Sequence, residues 1–262
     1  MYFNSLRILG SGSFGDVFAA QTTPEGKKLG FPDKVAIKVL TNVNDKQLLK
    51  NELDILKEID LPHSVKYYGC YVLDERFYII MELIRGKDLF DLDVRTLTPD
   101  KKLIIAKEIA IGIKEIHDVG IVHRDIKLEN IMVSDTWEVK IVDYGLSCDL
   151  MRNSESYPCT ERKLGTPGYM DHKLILGNLK SMQLADWWAY GQLLGELFTT
   201  KLSGLWNEDD DTYRTFSTTE IQMVPKEFQT ILFELTNPDN EQWQRPSPDE
   251  IIWFLGLCMF YS

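Results

Sequence analysis

Apolar residues alternate with polar ones early in this chain and recur at helical spacing through most of the remainder. Leu6 and Ile8 precede a glycine-rich turn, and Val17, Phe18 and Ala19 follow it, which predicts strand, loop and strand. The run Val35-Ala36-Ile37-Lys38-Val39-Leu40 predicts another strand, with Ala36 and Lys38 on one face and Val35, Ile37 and Val39 on the other. Leu48, Leu49, Leu53, Ile55 and Leu56 then fall at helical spacing between Lys46 and Leu56. Ile79-Ile80-Met81-Glu82-Leu83-Ile84-Arg85-Gly86 closes this region as a further strand. Beyond it, Thr98-Pro99-Asp100 opens a helix through Leu103, Ala106, Ile109, Ala110, Ile113 and Ile116 that stops at Gly120, a residue suited to a C-cap. Asp186 to Phe198 is apolar on most faces, as a buried helix would be. Ser247-Pro248-Asp249-Glu250 supplies an N-cap, a first-turn proline and the glutamate of a capping box before the apolar run Ile251 to Tyr261. That run is too short to span a bilayer and reads as a final core helix. The sum is an α+β chain: a strand-rich part with one main helix to about Leu83, then a larger, mostly helical part.

The chemistry concentrates in His123-Arg124-Asp125-Ile126-Lys127-Leu128-Glu129-Asn130 and in Asp143-Tyr144-Gly145. Together they offer a base, a cation and two metal-binding oxygen ligands, a set suited to moving a phosphoryl group from a magnesium-bound nucleotide. Loops between strands are generally polar, and a bare Asp-x-x-x-x-Asn would read as a turn. His-Arg before it and Asp-x-Gly after it lift the segment above that reading. Such chemistry also needs a phosphate cover and a fixed cation. Gly10-Ser11-Gly12-Ser13-Phe14-Gly15 can be the cover, because glycines let backbone N–H groups approach phosphate oxygens. The strand after Gly15 argues against a dinucleotide fold, which would open a helix there. Lys38 can be the cation. Seen alone it reads as an exposed strand lysine, but Glu52 on the following helix can hold its ammonium, with Glu58 a weaker candidate.

These motifs, in this order and across nearly the whole length, resemble those of a eukaryotic-type protein kinase. The resemblance implies a bilobal fold: one catalytic domain over residues 1–262, with the N-lobe and hinge over 1–84 and the C-lobe over 85–262. It implies ATP and Mg2+. Asp125 would orient and deprotonate a substrate hydroxyl, and Lys127, which marks the serine/threonine class, would steady the γ-phosphate. Asn130 and Asp143 would hold magnesium. Asp186 would brace the loop that carries His123 and Arg124. Met81 would back the adenine pocket, with the backbone of Glu82 and Ile84 on the adenine edge and Asp88 on the ribose. Val17, Ala36 and Met132 would sandwich the ring. Leu56, Tyr67, His123 and Tyr144 would stack as a column linking the lobes.

Three departures stand out. Tyr144 replaces the usual Phe and brings a hydroxyl that needs a partner. Where relatives carry Ala-Pro-Glu, this chain has Asp171-His172-Lys173, so the expected partner of Arg245 is missing and Asp171 is the candidate replacement. The polar segment from Asp143 to Gly165 carries Ser147, Ser154, Ser156, Tyr157 and Thr160. Arg124 resembles an arginine that orders such a segment through phosphate, with Thr160 or Ser156 as the acceptor, or Glu155 or Glu161 as a standing charge. Thr166 would sit beside Asp125 and Lys127, where phosphate would block activity.

A formal net charge of −11 and a pI near 4.9 argue against nucleic acid and anionic membranes as partners. A protein substrate is expected instead, bound by a monomer or weak dimer. Glu129, Glu196 and the run Glu208-Asp209-Asp210-Asp211 suit basic residues around its phosphoacceptor, though a solvated loop and structural glutamates explain them as well. The four cysteines show no metal-like spacing, so reduced thiols inside the cell, cytoplasmic or nuclear, are expected. An oxidative lock between Cys148 and Cys159 is the alternative. With no signal pattern read at its start and no linker or appended domain read within it, regulation is expected to come from the activation segment or a partner. Two rival readings remain: a pseudokinase scaffold, although Lys38, Asp125, Asn130 and Asp143 are all present, and a small-molecule or lipid kinase, although Gly165-Thr166-Pro167-Gly168-Tyr169 suits a peptide shelf.

Overall fold

A computed structural model describes residues 2–12, 15–40, 46–152, 159, 164–175, 177, 179, 181–200, 206–207, 212–213, 215–238, 240 and 245–261. Its elements run β1 (Phe3–Gly12), β2 (Gly15–Thr22), α1 (Pro24–Lys28), β3 (Lys34–Leu40), α2 (Lys46–Glu58), β4 (Tyr67–Leu73), β5 (Arg76–Glu82) and β6 (Gly86–Asp88). They continue with α3 (Pro99–Asp118), β7 (Ile121–Val122), β8 (Ile131–Ser134), β9 (Val139–Ile141), β10 (Cys148–Asp149), α4 (His172–Ile175) and α5 (Met182–Thr199). β11 (Trp206–Asn207), β12 (Thr212–Tyr213), α6 (Thr218–Ile221), α7 (Lys226–Thr236) and α8 (Pro248–Tyr261) complete the order.

β1 to β5 form one antiparallel sheet in the order β1-β2-β3-β5-β4. β3 lies at its centre and is buried on both faces from Val35 to Leu40. That is why its sequence is nearly continuous apolar, with Lys38 the exception. α2 is amphipathic and lays Leu49, Ile55 and Leu56 into the core. α3 begins where the sequence predicts: the Thr98 hydroxyl accepts from the Lys101 N–H at 3.4 Å, and Gly120 follows the helix at φ +82°. α5 starts at Met182, ahead of the expected Asp186, and is buried almost all round. At α8 the capping box forms: Ser247 N–H donates to Glu250 Oε2 at 2.8 Å, and Glu250 N–H to Ser247 Oγ at 3.3 Å. The result is an α+β fold of two lobes, the first a sheet with one main helix and the second mostly helical. α1 is an additional single turn in the first lobe, capped by Thr23.

Short β6, β8 and β9 form a three-stranded sheet, and β7 pairs with β10. These small ladders carry the loops that matter, because they fix the chain on both sides of Asp125 and of Asp143.

Candidate active site

β1 and β2 meet at a tight turn whose register pairs Gly12 with Gly15, Ser11 with Asp16 and Gly10 with Val17. Gly15 has φ +128°, and a Cβ there would lie 2.4 Å from the Val39 carbonyl oxygen, so only glycine fits. Among the described residues nothing lies within 4 Å of where a Cβ on Gly10 would be. Ser13 and Phe14 lie outside the described residues.

Lys38 projects from β3 into an ion triad. Its ammonium donates to Glu52 Oε1 at 2.7 Å and to Asp143 Oδ1 at 2.9 Å. Glu58 instead pairs with Arg152, so Glu52 alone of the two candidates reaches Lys38. Burial alone would lower the Lys38 pKa, but the Asp143 and Glu52 carboxylates outweigh it and hold the ammonium charged. Burial likewise pushes Asp143 up, and Lys38 pulls it back below the ordinary carboxylate range. Glu52 is shifted up by burial, against the pull of Lys38. Gly145 lies against this triad: a Cβ there would meet Asp143 Oδ1 at 3.3 Å and Glu52 Oε2 at 3.6 Å.

Asp125 is held on every side. Its Oδ1 accepts from the Thr166 hydroxyl at 2.6 Å, and its Oδ2 accepts from Lys127 Nζ at 2.8 Å and Asn130 Nδ2 at 3.0 Å. Lys127 Nζ also donates to Thr166 Oγ1 at 2.7 Å. The Asp125 N–H donates to His123 Nδ1 at 3.3 Å. That leaves the His123 proton on Nε2, which donates to the Val142 carbonyl at 3.1 Å.

Asp186, at the buried start of α5, accepts from two successive backbone N–H groups, those of His123 and Arg124, both at 2.8 Å. His117 Nε2 is 2.9 Å from the same carboxylate. Burial raises the Asp186 pKa, and its hydrogen bond to His117 leads the effects that bring it below the usual range. Arg124 and Asp143 both sit at φ +65°, a region that costs a non-glycine residue about 1–3 kcal/mol. The Asp186 clamp at Arg124 and the ion triad at Asp143 supply the restraint that such backbones need.

Tyr144 is fully buried, stacks edge-on against His123 at 5.0 Å, and places its hydroxyl 2.6 Å from Ser64 Oγ. Leu56 is buried, and Tyr67 packs at the margin of the same core cluster. Arg245 donates through Nη1 to Asp171 Oδ2 at 2.6 Å, while Lys173 turns away to the Asn240 carbonyl at 2.7 Å. Toward the hinge, Met81 pairs with Ala36 across β5 and β3, and Val17 pairs with Lys38. Met132 pairs with Asp88 across β8 and β6. Asp88 Oδ1 accepts from the Asp91 N–H at 2.7 Å, and Glu82 N–H donates to the Lys66 carbonyl at 2.8 Å. Ile84 is half-buried beside this strand end.

Sequence reading missed Asn51, Ser64 and His117. Asn51 Nδ2 reaches from α2 to the Ser147 carbonyl at 2.6 Å. The cysteines bring a correction. Cys148 and Cys159 are joined by a disulfide, where reduced thiols were the expectation. Ser154, Ser156, Tyr157 and Thr160 lie outside the described residues, as do Glu155, Glu161 and the acidic run 208–211. Ser147 is buried, its hydroxyl on the His123 carbonyl at 3.2 Å.

The residues present suit a magnesium nucleotide. Magnesium takes hard oxygen donors and is commonly bound by one or two carboxylates together with substrate phosphates. Among the described residues no group of three or more His, Cys, Asp and Glu forms a self-sufficient metal cage. Asn130 turns its Nδ2 to the Asp125 carbonyl at 2.8 Å, which reserves its Oδ1 for a partner of the opposite kind. Among the described residues nothing crowds Gly10, which leaves room for phosphate.

Comparison with known proteins agrees with this geometry. Residues 3–259 match the family described as protein kinase domain. Human ribosomal protein S6 kinase alpha-1 is 31% identical over 271 residues, which cover 100% of this chain and 36% of that protein. Chicken (Gallus gallus) ribosomal protein S6 kinase 2 alpha is 31% identical over 260 residues, 95% of this chain and 34% of its own length. Ribosomal protein S6 kinase 2 beta from Xenopus laevis is 33% identical over 206 residues, 77% of this chain and 32% of its own. The chain thus spans about a third of the length of these relatives. Among the described residues no helix is long and apolar enough to cross a membrane.

Proposed function

This chain belongs to the protein kinase family, and on that premise we propose that it transfers the γ-phosphate of ATP to serine or threonine hydroxyls of proteins. One arrangement carries the reading: Lys38 anchored by Glu52 and Asp143, within the same fold as an Asp125 held by Lys127, Asn130 and Thr166. Phosphoryl transfer asks a protein for positioning and charge, and both are supplied. Lys38 orients the α- and β-phosphates, with the glycine-rich segment Gly10, Gly12, Ser13, Phe14 and Gly15 as their cover. Val17, Ala36, Met81 and Met132 enclose the adenine, with the Glu82 and Ile84 backbone at its edge and Asp88 at the ribose. Asn130 Oδ1 and the Asp143 carboxylate hold magnesium, which neutralises phosphate charge when bound. Asp125 takes the hydroxyl proton while Lys127 steadies the departing phosphate. The substrate hydroxyl takes the place at Asp125 that Thr166 now shares, so phosphate on Thr166 would block the site.

Substituting a general base typically costs about 10²–10⁴-fold in rate. Transfer of labelled phosphate to a generic protein substrate by the Asp125→Asn variant should fall by that amount, with nucleotide binding retained. Equal transfer by variant and wild type would remove the proposal, and no transfer by either would favour the pseudokinase scaffold. A small-molecule or lipid kinase would ignore protein substrates in the same assay.

Substrate preference follows from a second cluster. The Tyr169 hydroxyl donates to the Glu196 carboxylate; burial raises the pKa of both groups, and the nearby Glu129 charge adds a smaller push in the same direction. An arginine ahead of the phosphoacceptor would relieve that crowding of negative charge. A peptide-library profile should favour Arg or Lys there, and a profile favouring acidic residues would refute the preference. A monomer or weak dimer and an intracellular place of work, cytoplasmic or nuclear, fit an ATP-dependent enzyme of this kind.

A further inference from the structure

We propose that the Cys148–Cys159 disulfide is a redox-controlled clamp on the activation segment, and that the clamped form is the catalytically competent one. This rests on the kinase reading above. The bond closes a span of 11 residues and brings the two Cα atoms to 5.4 Å. Its anchored end lies in a closely braced stretch of the segment. Cys148 is fully buried and pairs with Val122 in the β7–β10 ladder. One residue back, the Ser147 carbonyl accepts from Asn51 of α2 at 2.6 Å, and its hydroxyl donates to the His123 carbonyl at 3.2 Å. The Leu146 carbonyl accepts from Arg124 Nε at 2.6 Å. Cys159, half-buried, packs with Leu48 of α2 and Leu184 of α5 against the cluster that holds Cys148, Leu174 and Met182. Seven residues beyond it, Thr166 closes onto Asp125. The disulfide therefore fastens the far end of the segment to the strand that touches α2 and the catalytic loop. The same structure holds the Lys38–Glu52 pair closed at 2.7 Å, which makes the bonded state the assembled one.

The chemistry is thiol–disulfide exchange with a small disulfide oxidant such as glutathione disulfide. Cys159 is the accessible sulfur, so its thiolate attacks the oxidant, releases one thiol and forms a mixed disulfide. The Cys148 thiolate then displaces the second thiol. Two cysteine thiols lose two protons and two electrons, and the oxidant is reduced to two thiols. A dithiol reverses the sequence by attack on Cys159, with Cys148 as the leaving thiolate.

The test compares the purified chain held in glutathione disulfide with the chain held in dithiothreitol. Peptide masses report the Cys148–Cys159 linkage, phosphate transfer reports activity, and limited proteolysis reports order between residues 150 and 163. The linked form should transfer phosphate about five-fold faster or more, the lower end of typical coupling between sites, and should resist cleavage. Cys159→Ser should behave as reduced chain in both buffers. Absence of the linked peptide under oxidant, or equal activity of linked and reduced chains, overturns the clamp while leaving the kinase reading intact. If neither state transfers phosphate, the kinase reading falls and proteolysis decides: equal cleavage overturns the clamp, slower cleavage of the linked chain supports it.

Discussion

Asp171 is fully buried with its carboxylate 2.6 Å from a guanidinium that is itself shut away from water. The Arg245 head also lies over the Trp188 ring, 5.0 Å from its centroid, and His172 packs on the same ring. Removing one partner of such a pair strands the other charge, at a cost of about 3–5 kcal/mol. Asp171→Ala should therefore lower the melting temperature by roughly 10 °C in a chain of this size, and adding Arg245→Met should restore part of the loss. Calorimetry of the two variants checks this; an unchanged melting point in Asp171→Ala would refute the pairing's importance. Residues tied to fixed spacings were legible in the sequence, such as Lys38 and Asp125. Asn51, Ser64 and His117 were not. Their partners lie 96, 80 and 69 residues away, and no local pattern marks a polar side chain that the tertiary fold will bury. Glu52 and Glu58 differ only in helical phase, and the structure separates them by giving Glu58 to Arg152.

At the level of elements, the β1–β2 turn makes two different demands on its glycines. Gly15 holds φ +128°, and a Cβ on it would lie 2.4 Å from the Val39 carbonyl oxygen, so an alanine must displace the β3 backbone, strain worth about 1–3 kcal/mol. A Cβ on Gly10 would meet nothing within 4 Å among the described residues, so alanine there should leave stability within about 0.5 kcal/mol. The same alanine intrudes on the space assigned to phosphate and should raise the KM for ATP. Thermal melts and ATP saturation curves of the two variants should therefore separate fold from function. Wild-type melting in Gly15→Ala, or wild-type ATP saturation in Gly10→Ala, would contradict this division. α3 was readable because many residues vote on one helical phase behind a cap, and α8 because a capping box opens a long apolar run. α1, β7 and β10 are too short to show a period, and their existence depends on contacts with distant chain. The Cys148–Cys159 pair was named from the sequence only as the alternative to reduced thiols, since an 11-residue spacing does not by itself decide whether the fold brings two thiols together.

Across the whole molecule, buried ionisable groups connect both lobes, so stability should depend on pH in a way that reports the assembled cleft. Asp143, Asp171 and Asp186 all have folded-state pKa values below the ordinary one. In each, burial acts to raise the pKa and is overcome by partners: Lys38 for Asp143, His172 and Arg245 for Asp171, His117 for Asp186. A depressed carboxyl contributes stability that is complete above its unfolded value, about 3.9 for Asp, and is lost as pH falls through the folded value. Burial raises Glu52 and Glu196, so their sign is opposite: the fold prefers them protonated, and acid relieves a cost that is present at neutral pH. Lys38 is raised, so its contribution is complete below its unfolded value, about 10.4, and is lost only at more alkaline pH. Urea midpoints should accordingly change little, or rise slightly, as pH is lowered from about 7 to 5, where protonation of the raised carboxyls Glu52, Glu196 and Asp88 begins to relieve the cost of their burial. Below about pH 4 the three aspartates begin to bind protons in the unfolded chain and the midpoint should fall steeply. Asp186→Asn, a weaker fold at neutral pH, should show a shallower acid limb because one of the three responding groups is gone. A midpoint that falls between pH 7 and 5 and levels off below 4 would contradict both signs, since raised glutamates and lowered aspartates require the reverse, and the charge arrangement described for the cleft would be wrong.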